Sequence, residues 1–500
     1  MVVVAPLDSP VLTTVLAFLL VVITLLVSTR RGSNALRLRL PPSPRGLPVV
    51  GHLHLLGTLP HRSLRSLAAS HGPVMHLRLG RVPTVVASSA AAAEEAMKTR
   101  DLDFAGRPRL LMVDRFYYGT GGIGFAPYGD HWRQARRVCA THMLSVRRVA
   151  SLGRVRAQEA AALVDRVRRA GVVNLSDSLA VYSYAVISRC TLGDAGCGVE
   201  GGGARLRKAF GEMEELLGTV PMGETVPWLG WVDTVTGLER RARRVFEEMD
   251  GLLERVIADH RQRRRAAAAT GDEEDFVDVM LDAGELDTDS TKSIILDVLA
   301  AATDSTFALL EWAMAELINH PHEMSKLQAE VRAAAGAVVT EAHLPRLPYL
   351  KAVINETLRL HPPSPLLLPR ETLEDTRLLG HDVPAGTRVL INAWAIGRDP
   401  ATWGPRAEEF APERFLGYAG QDFSFLPFGA GRRGCPGVEF AMLSNELALA
   451  SLVHGFDWEL PGGRTPPVDT TELYGLSVCL KAPLLLVAKP WSSMDMDGVE

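Results

Sequence analysis

The sequence predicts a mainly α-helical fold with a small β region, preceded by one transmembrane helix. Three observations carry this. Residues 10–27 read PVLTTVLAFLLVVITLLV, with no charge and only threonines as polar breaks. After Gly51 the apolar residues recur mostly at helical spacing, and residues 290–319 run without Gly or Pro until Pro321. Only short β-type runs interrupt this pattern, at residues 74–79, 84–88 and 388–391.

The N-terminal run is near the lower length limit for crossing a bilayer. No Lys or Arg precedes it, and Arg30, Arg31, Arg37 and Arg39 follow it. The positive-inside bias puts the chain beyond residue 30 in the cytosol. A cleaved signal peptide fits less well, because a basic leader and a small-residue cleavage site are both missing. Residues 1–29 are therefore read as an anchor and 30–50 as a basic, proline-rich hinge. The hinge has four prolines between Pro41 and Pro48, which stiffen it. Residues 51–490 form the globular body and 491–500 an acidic, frayed tail.

Composition narrows the function. The hydrophobic share of 47% suits a large core, and a net charge of −4 gives no pointer to nucleic acid. Five scattered cysteines argue for a reducing compartment and against a disulfide framework. His52–His54 and His320–His322 lack cysteine or carboxylate neighbours at zinc spacing. Length by itself allows two to four domains. Residues 193–205 and 261–275 read as solvated loops, the second a basic helix end running into an acidic turn.

Two helices hold polar residues where apolar ones are expected. The 290–319 helix is roughly 45 Å long at 1.5 Å per residue. It is apolar on most sides, so it should cross the core. Yet Thr303, Asp304, Ser305 and Thr306 lie in its middle. They form either a satisfied polar knot or an acid–alcohol pair facing a ligand or proton path. The helix ending in NETLRLHPP places Glu356 and Arg359 three residues apart, on one face. A buried pair of this kind wants a third partner, and Arg414 in APERF offers one.

The stretch FGAGRRGCPG, residues 428–437, concentrates the chemistry. Pro436 is a good first helical residue, and Val438, Ala441, Met442, Leu449 and Leu452 follow at helical spacing. Cys435 then sits at a helix N-terminus, where free amides favour an anion. Gly429, Gly431, Gly434 and Gly437 let the backbone approach a flat, bulky group. Arg433 adds positive charge for acidic substituents. Thiolate, close backbone and arginine suit a haem. A nucleophilic or an inert buried cysteine are the rival readings.

At this point a resemblance becomes specific. FGAGRRGCPG resembles the haem signature Phe-x-x-Gly-x-Arg-x-Cys-x-Gly of the cytochrome P-450 superfamily at every fixed position. ETLR and PERF are similar to its Glu-Arg-Arg triad, WRQAR to its propionate-binding Trp-x-x-x-Arg, and AATDST to its oxygen-activating motif. The likeness covers about residues 10–490. It implies a single-domain cytochrome P-450 fold, because distant motifs must meet at one haem. APYGDHWRQARR, LEWAMAELINHP and NAWAIGRDP resemble the plant microsomal (A-type) group. Within it the chain resembles grass enzymes of indole-derived, benzoxazinoid-like metabolism.

The resemblance implies a monooxygenase that inserts one oxygen atom from O2 into a small hydrophobic metabolite. It implies haem b (iron protoporphyrin IX), with O2 and NADPH as co-substrates. Electrons come from an NADPH-cytochrome reductase, a flavoprotein in the endoplasmic-reticulum membrane. Cys435 corresponds to the axial ligand, which pushes electron density onto iron. Trp132, Arg136, Arg370 and Arg433 correspond to propionate partners, with Phe428 and Gly437 in the same signature. Glu356, Arg359 and Arg414 form a structural triad. Asp304 and Ser305 correspond to the proton-delivering pair, although Ala302 replaces a glycine and Ser305 a threonine.

Phe116, Ala301, Leu366, Leu367, Leu476 and Ser477 occupy substrate-pocket positions. Arg133, Arg137 and Arg432 are candidates for docking the reductase. Substrate alternatives are terpenoid, phenolic and oxime compounds. Two other readings use the same residues: an isomerase or dehydratase independent of O2 and reductase, and a non-catalytic haem-binding protein.

Overall fold

A computed structural model describes residues 38–119, 122–197, 202–266, 275–284, 286–418 and 422–491. The anchor, the first part of the hinge and the acidic tail from residue 492 lie outside these, as do the centres of the two expected loops. The chain divides into two compact units, Met1–Leu40 and Pro41–Glu500. In the first, only Leu38, Arg39 and Leu40 are described.

The second unit is mostly helical. Its largest sheet has four strands: β1 (Val74–Leu79), β2 (Val82–Ala87), β3 (Arg370–Glu371) and β4 (Arg388–Ile391), in the order β1-β2-β4-β3. β1 and β2 form an antiparallel hairpin with Val74 opposite Ala87 and Leu79 opposite Val82. β4 runs parallel to β2, Val85 facing Val389. The hairpin turns at Gly80, whose φ is +63°. A side chain there would strike the Thr225 carbonyl at 2.0 Å, so the turn requires glycine.

Seven helices matter for the site: α1 (Asp130–Val138), α2 (Leu175–Cys197), α3 (Gly202–Leu217), α4 (Leu238–Ala266), α5 (Thr288–Asn319), α6 (Pro348–Leu360) and α7 (Val438–Gly455). α5 is the expected central helix. It starts two residues early because the Asp287 side chain accepts from the Ser290 amide at 2.7 Å, capping the first turn. It is long and apolar enough to span a membrane, but its apolar window is 72% buried inside the fold. It packs against α2, α6 and α7, with Ile294, Leu299 and Trp312 in the core.

Two expectations need correction. α2 continues through Gly193 to Cys197, across a kink where Gly193 takes φ +70°, and α3 resumes at Gly202. The expected 193–205 loop is therefore mostly helical at its ends. Pro436 is not the first helical residue, because α7 begins at Val438 after Gly437 as N-cap. The Cys435 amide instead donates to the Phe428 carbonyl at 2.8 Å, which folds the signature back on itself.

Candidate active site

Glu356 and Arg359 are fully buried on α6. Arg359 makes a two-pronged bond to Glu356, with both distances 2.7 Å. Its Nη1 also donates to the Gly397 and Ala407 carbonyls at 2.6 Å. Arg414 Nε reaches Glu356 Oε1 at 3.3 Å and Arg414 Nη1 donates to the Trp403 carbonyl at 2.9 Å. The three side chains thus fasten α6 to residues 397–414, the segment leading to the cysteine loop.

Cys435 faces a cavity of about 280 Å³. The residue lies deep in the fold, yet its surface is exposed because the cavity opens in front of it. Among the described residues its Sγ accepts only the Gly437 amide, at 3.4 Å. Burial pushes the thiol up, and that amide and the Arg136 charge oppose burial without overcoming it. The helix-terminus argument by itself thus does not make a thiolate; a coordinated metal cation would.

Four arginines share the wall of this cavity: Arg107, Arg136, Arg370 and Arg433. Arg136 Nη2 donates to the Gly434 carbonyl at 2.7 Å. Arg370 Nη2 donates to the Ala430 carbonyl at 3.1 Å. Arg433 uses Nε and Nη2 on the Ala105 and Ala126 carbonyls, both at 2.9 Å. Its buried Nη1 has no hydrogen-bond partner among the described residues. Burial first, then the Arg370 and Arg136 charges, bring Arg433 down to about 9. Crowded, partly unpaired cations of this kind fit an anionic guest. A bare sulfur on the same cavity fits that guest's metal, and Gly429, at φ +63°, shapes the backbone beside it. The residues therefore fit a haem with carboxylate substituents.

Trp132 is placed differently from its expected contact. It is buried but does not line the cavity. Its Nε1 donates to the Ile123 carbonyl at 3.0 Å, and the Arg433 guanidinium stacks on its ring at 4.2 Å. It supports the arginine from behind. Phe428, Gly437, Ala301, Leu367, Leu476 and Ser477 line the cavity. Phe116 and Leu366 do not. Phe116 packs into the main core, and Leu366 joins a separate cluster with Leu64 and Met75. Leu368, two residues along from Leu366, lines the cavity instead.

On α5, Asp297, Ala301, Asp304 and Ser305 share the face that lines the cavity. Asp304 Oδ2 accepts the Ser477 amide at 3.1 Å. Burial raises its carboxyl against that bond. Ser305 Oγ donates back to the Ala301 carbonyl at 2.7 Å.

Asp297 and Arg107 are site residues that sequence reading missed. Asp297 Oδ2 accepts the Ile123 and Gly124 amides at 2.6 and 2.7 Å. Arg107 Nε donates to the Gly124 carbonyl at 2.8 Å and its Nη1 to Leu368 and Pro369 carbonyls. The segment carrying Ile123 and Phe125 is clipped over the cavity from both sides. A signal was present for Asp297: a carboxylate four residues before Ala301 in an apolar helix. None marked Arg107, which sits in an irregular loop.

A cytochrome P450 family model matches residues 41–487. The chain belongs to the cytochrome P450 family. It is 44% identical over 491 residues to (+)-menthofuran synthase of Mentha piperita, covering 95% of this chain and 98% of that protein. It is 46% identical over 484 residues to cytochrome P450 71A2 of Solanum melongena, covering 93% and 94%. A zebra fish cytochrome P450 solved with progesterone superposes with a TM-score of 0.75 at 27% identity, covering 86% of this chain and 99% of that one.

The protein is thus an oxidoreductase of the P450 monooxygenase family, a haem-iron class, with relatives in plant specialised metabolism. Those relatives carry the plant assignment and not the finer likeness to grass indole-oxidising enzymes.

Proposed function

We propose that the protein is a membrane-anchored, haem-thiolate monooxygenase that oxidises a small hydrophobic plant metabolite. The observation that carries this is the placement of the Cys435 sulfur on the same apolar cavity as Asp304 and Ser305. A bound haem b would supply the chemistry of O2 activation, one oxygen atom going to the substrate and the other leaving as water. NADPH supplies the electrons through a flavoprotein reductase.

The chain's residues divide the rest of the work. Cys435 would hold the metal, and Arg136, Arg370 and Arg433 would hold the carboxylates, with Trp132 backing the last. Asp304 and Ser305 carry protons at their carboxyl and hydroxyl oxygens. Ala301, Leu367 and Leu476 exclude water and shape the substrate. Arg133 and Arg432 are exposed near the cysteine side, but each is already engaged, Arg133 with Asp130 and Arg432 with Asp101 and Tyr128. Reductase docking there would have to exchange those bonds.

Residence in the endoplasmic-reticulum membrane rests on the 10–27 run and the arginines after it. Similarity to a menthofuran synthase favours a small ring compound and gives no support to the indole-derived reading.

The test is the spectrum of the reduced, carbon-monoxide-bound protein. A Soret band far to the red supports the thiolate at Cys435, and Cys435→Ser should abolish it. A band at the ordinary haem-protein position in the unmutated protein would overturn this reading.

A further inference from the structure

Asp297 grips the segment over the cavity with only one of its two oxygens. Oδ2 takes both amides, from Ile123 at 2.6 Å and from Gly124 at 2.7 Å. Among the described residues no hydrogen bond and no ion pair reaches Oδ1. Nor is Oδ1 sealed inside protein. The residue is 7% exposed and lines the cavity that holds Cys435, so the open oxygen faces that cavity. A methyl at Gly124 would meet Oδ1 at 3.2 Å, and glycine there leaves it uncovered.

Holding the segment does not require an acid. One acceptor oxygen serves both amides, and asparagine offers one without placing a charge in an apolar wall. What the acid adds is a second acceptor. Burial pushes the carboxyl up, and the two amides and the Arg107 charge pull it back. Two donors aimed at one oxygen favour the ionised form, whose other oxygen then accepts and cannot donate. Around it the wall is apolar, with Val298 and Ala301 on the same helix and Leu368 beside Gly124. None of these can satisfy Oδ1. Asp297 stands one turn before Ala301 and two turns before Ser305 on α5, roughly 6 and 12 Å along the axis. A ring compound held at Asp297 therefore extends along the helix towards Asp304 and Ser305.

We propose that Asp297 is a substrate-binding residue whose Oδ1 accepts a hydrogen bond from a hydroxyl or N–H group on an otherwise apolar substrate. The contact sets which end of the substrate lies away from Ser305. This rests on the monooxygenase reading above and adds the chemical class of its substrate, a donor-bearing compound and not a hydrocarbon, ether or ketone.

The experiment is equilibrium dialysis of the full-length holoprotein with menthol, menthone and p-menthane. Menthol and menthone share one carbon skeleton and differ in the donor, and p-menthane has no polar group. The wild-type protein should bind menthol about tenfold tighter than menthone. Asp297→Ala should bring that ratio to about one. Asp297→Asn keeps an acceptor for the amides and turns its NH2 to the cavity, so the ratio should reverse in favour of menthone. A loosened segment weakens all three probes alike and leaves the ratio as it was, so the ratio separates substrate contact from scaffold. The asparagine variant, with both amides still bonded, decides the matter if the alanine variant does not fold.

A wild-type ratio of one overturns the proposal, and so does a menthol preference that the variants keep. Failure to bind any of the three probes also overturns it. A wild-type preference for menthone overturns it too, and assigns Asp297 as a neutral acid that donates. Dialysis needs neither reduction nor O2. A menthol preference lost in the variants, beside an ordinary carbon-monoxide spectrum, would therefore sink the monooxygenase reading and leave the Asp297 contact standing.

Discussion

Arg359 and Glu356 meet through two parallel hydrogen bonds of 2.7 Å, with both side chains wholly shielded from solvent. The pair is closed on every side by protein, so neither charge can turn to water.

Removing one partner strands the other. Arg359→Lys loses the two-pronged geometry and the Gly397 and Ala407 carbonyls, and Glu356→Gln strands two arginines. Each should destabilise the fold by about 3–5 kcal/mol. Chemical denaturation, or the yield of haem-loaded protein, measures this. A change under 1 kcal/mol, roughly what an exposed pair contributes, would refute it.

Asp297 should govern the segment over the cavity. Asp297→Ala leaves the Ile123 and Gly124 amides unpaired, at about 1–3 kcal/mol each. Asp297→Asn keeps one acceptor and should lie between. Hydrogen exchange at residues 122–125 should speed up in that order, with weaker ligand binding. Unaltered exchange in the alanine variant would show that Arg107 suffices.

Acid should loosen two junctions. Burial opposes ionisation of Glu316, but hydrogen bonds from His320 and His361 outweigh it and hold the carboxyl at about 2, against 4.5 ordinarily. Glu472 is likewise held at about 2 by His61 and Arg62, again against burial. Folded values below unfolded ones mean stability that is complete above pH 4.5 and lost as pH falls towards 2. Each is of order 3 kcal/mol at neutral pH. Glu316→Gln and Glu472→Gln should lower the thermal midpoint at pH 7 and flatten its fall below pH 4.5. Equal acid sensitivity in wild type and variants would refute this.

Ser305 should matter for coupling. Its hydroxyl rests on the Ala301 carbonyl in the cavity wall. Ser305→Ala should raise the share of consumed NADPH that appears as peroxide several-fold, whereas Ser305→Thr should not. Unchanged coupling in the alanine variant would count against a proton role.

Sequence reading reached furthest where a feature repeats locally. The strands β1 and β2, the central helix α5 and the Glu356–Arg359 pair follow from period, length and spacing, because side chains two, three or four residues apart share a face whatever the rest of the chain does. The cysteine signature was legible for the same reason, being ten consecutive residues. It placed Cys435 and Arg433, but not the depth at which burial outweighs a helix terminus. Trp132 was assigned a direct contact and instead backs Arg433, since sequence spacing says which side chains are near and not which stands in front.

By itself the sequence determined the family, the helical class and the residues around Cys435. Only the tertiary structure decided which distant groups face the cavity. Arg107 comes from a loop and Asp297 from one turn before the recognised motif. Leu366 and Phe116 were turned away into separate cores. The reason is physical. Whether a charged or apolar side chain meets a cavity depends on packing between elements far apart in the chain, and a register difference of one or two residues sends it to another face.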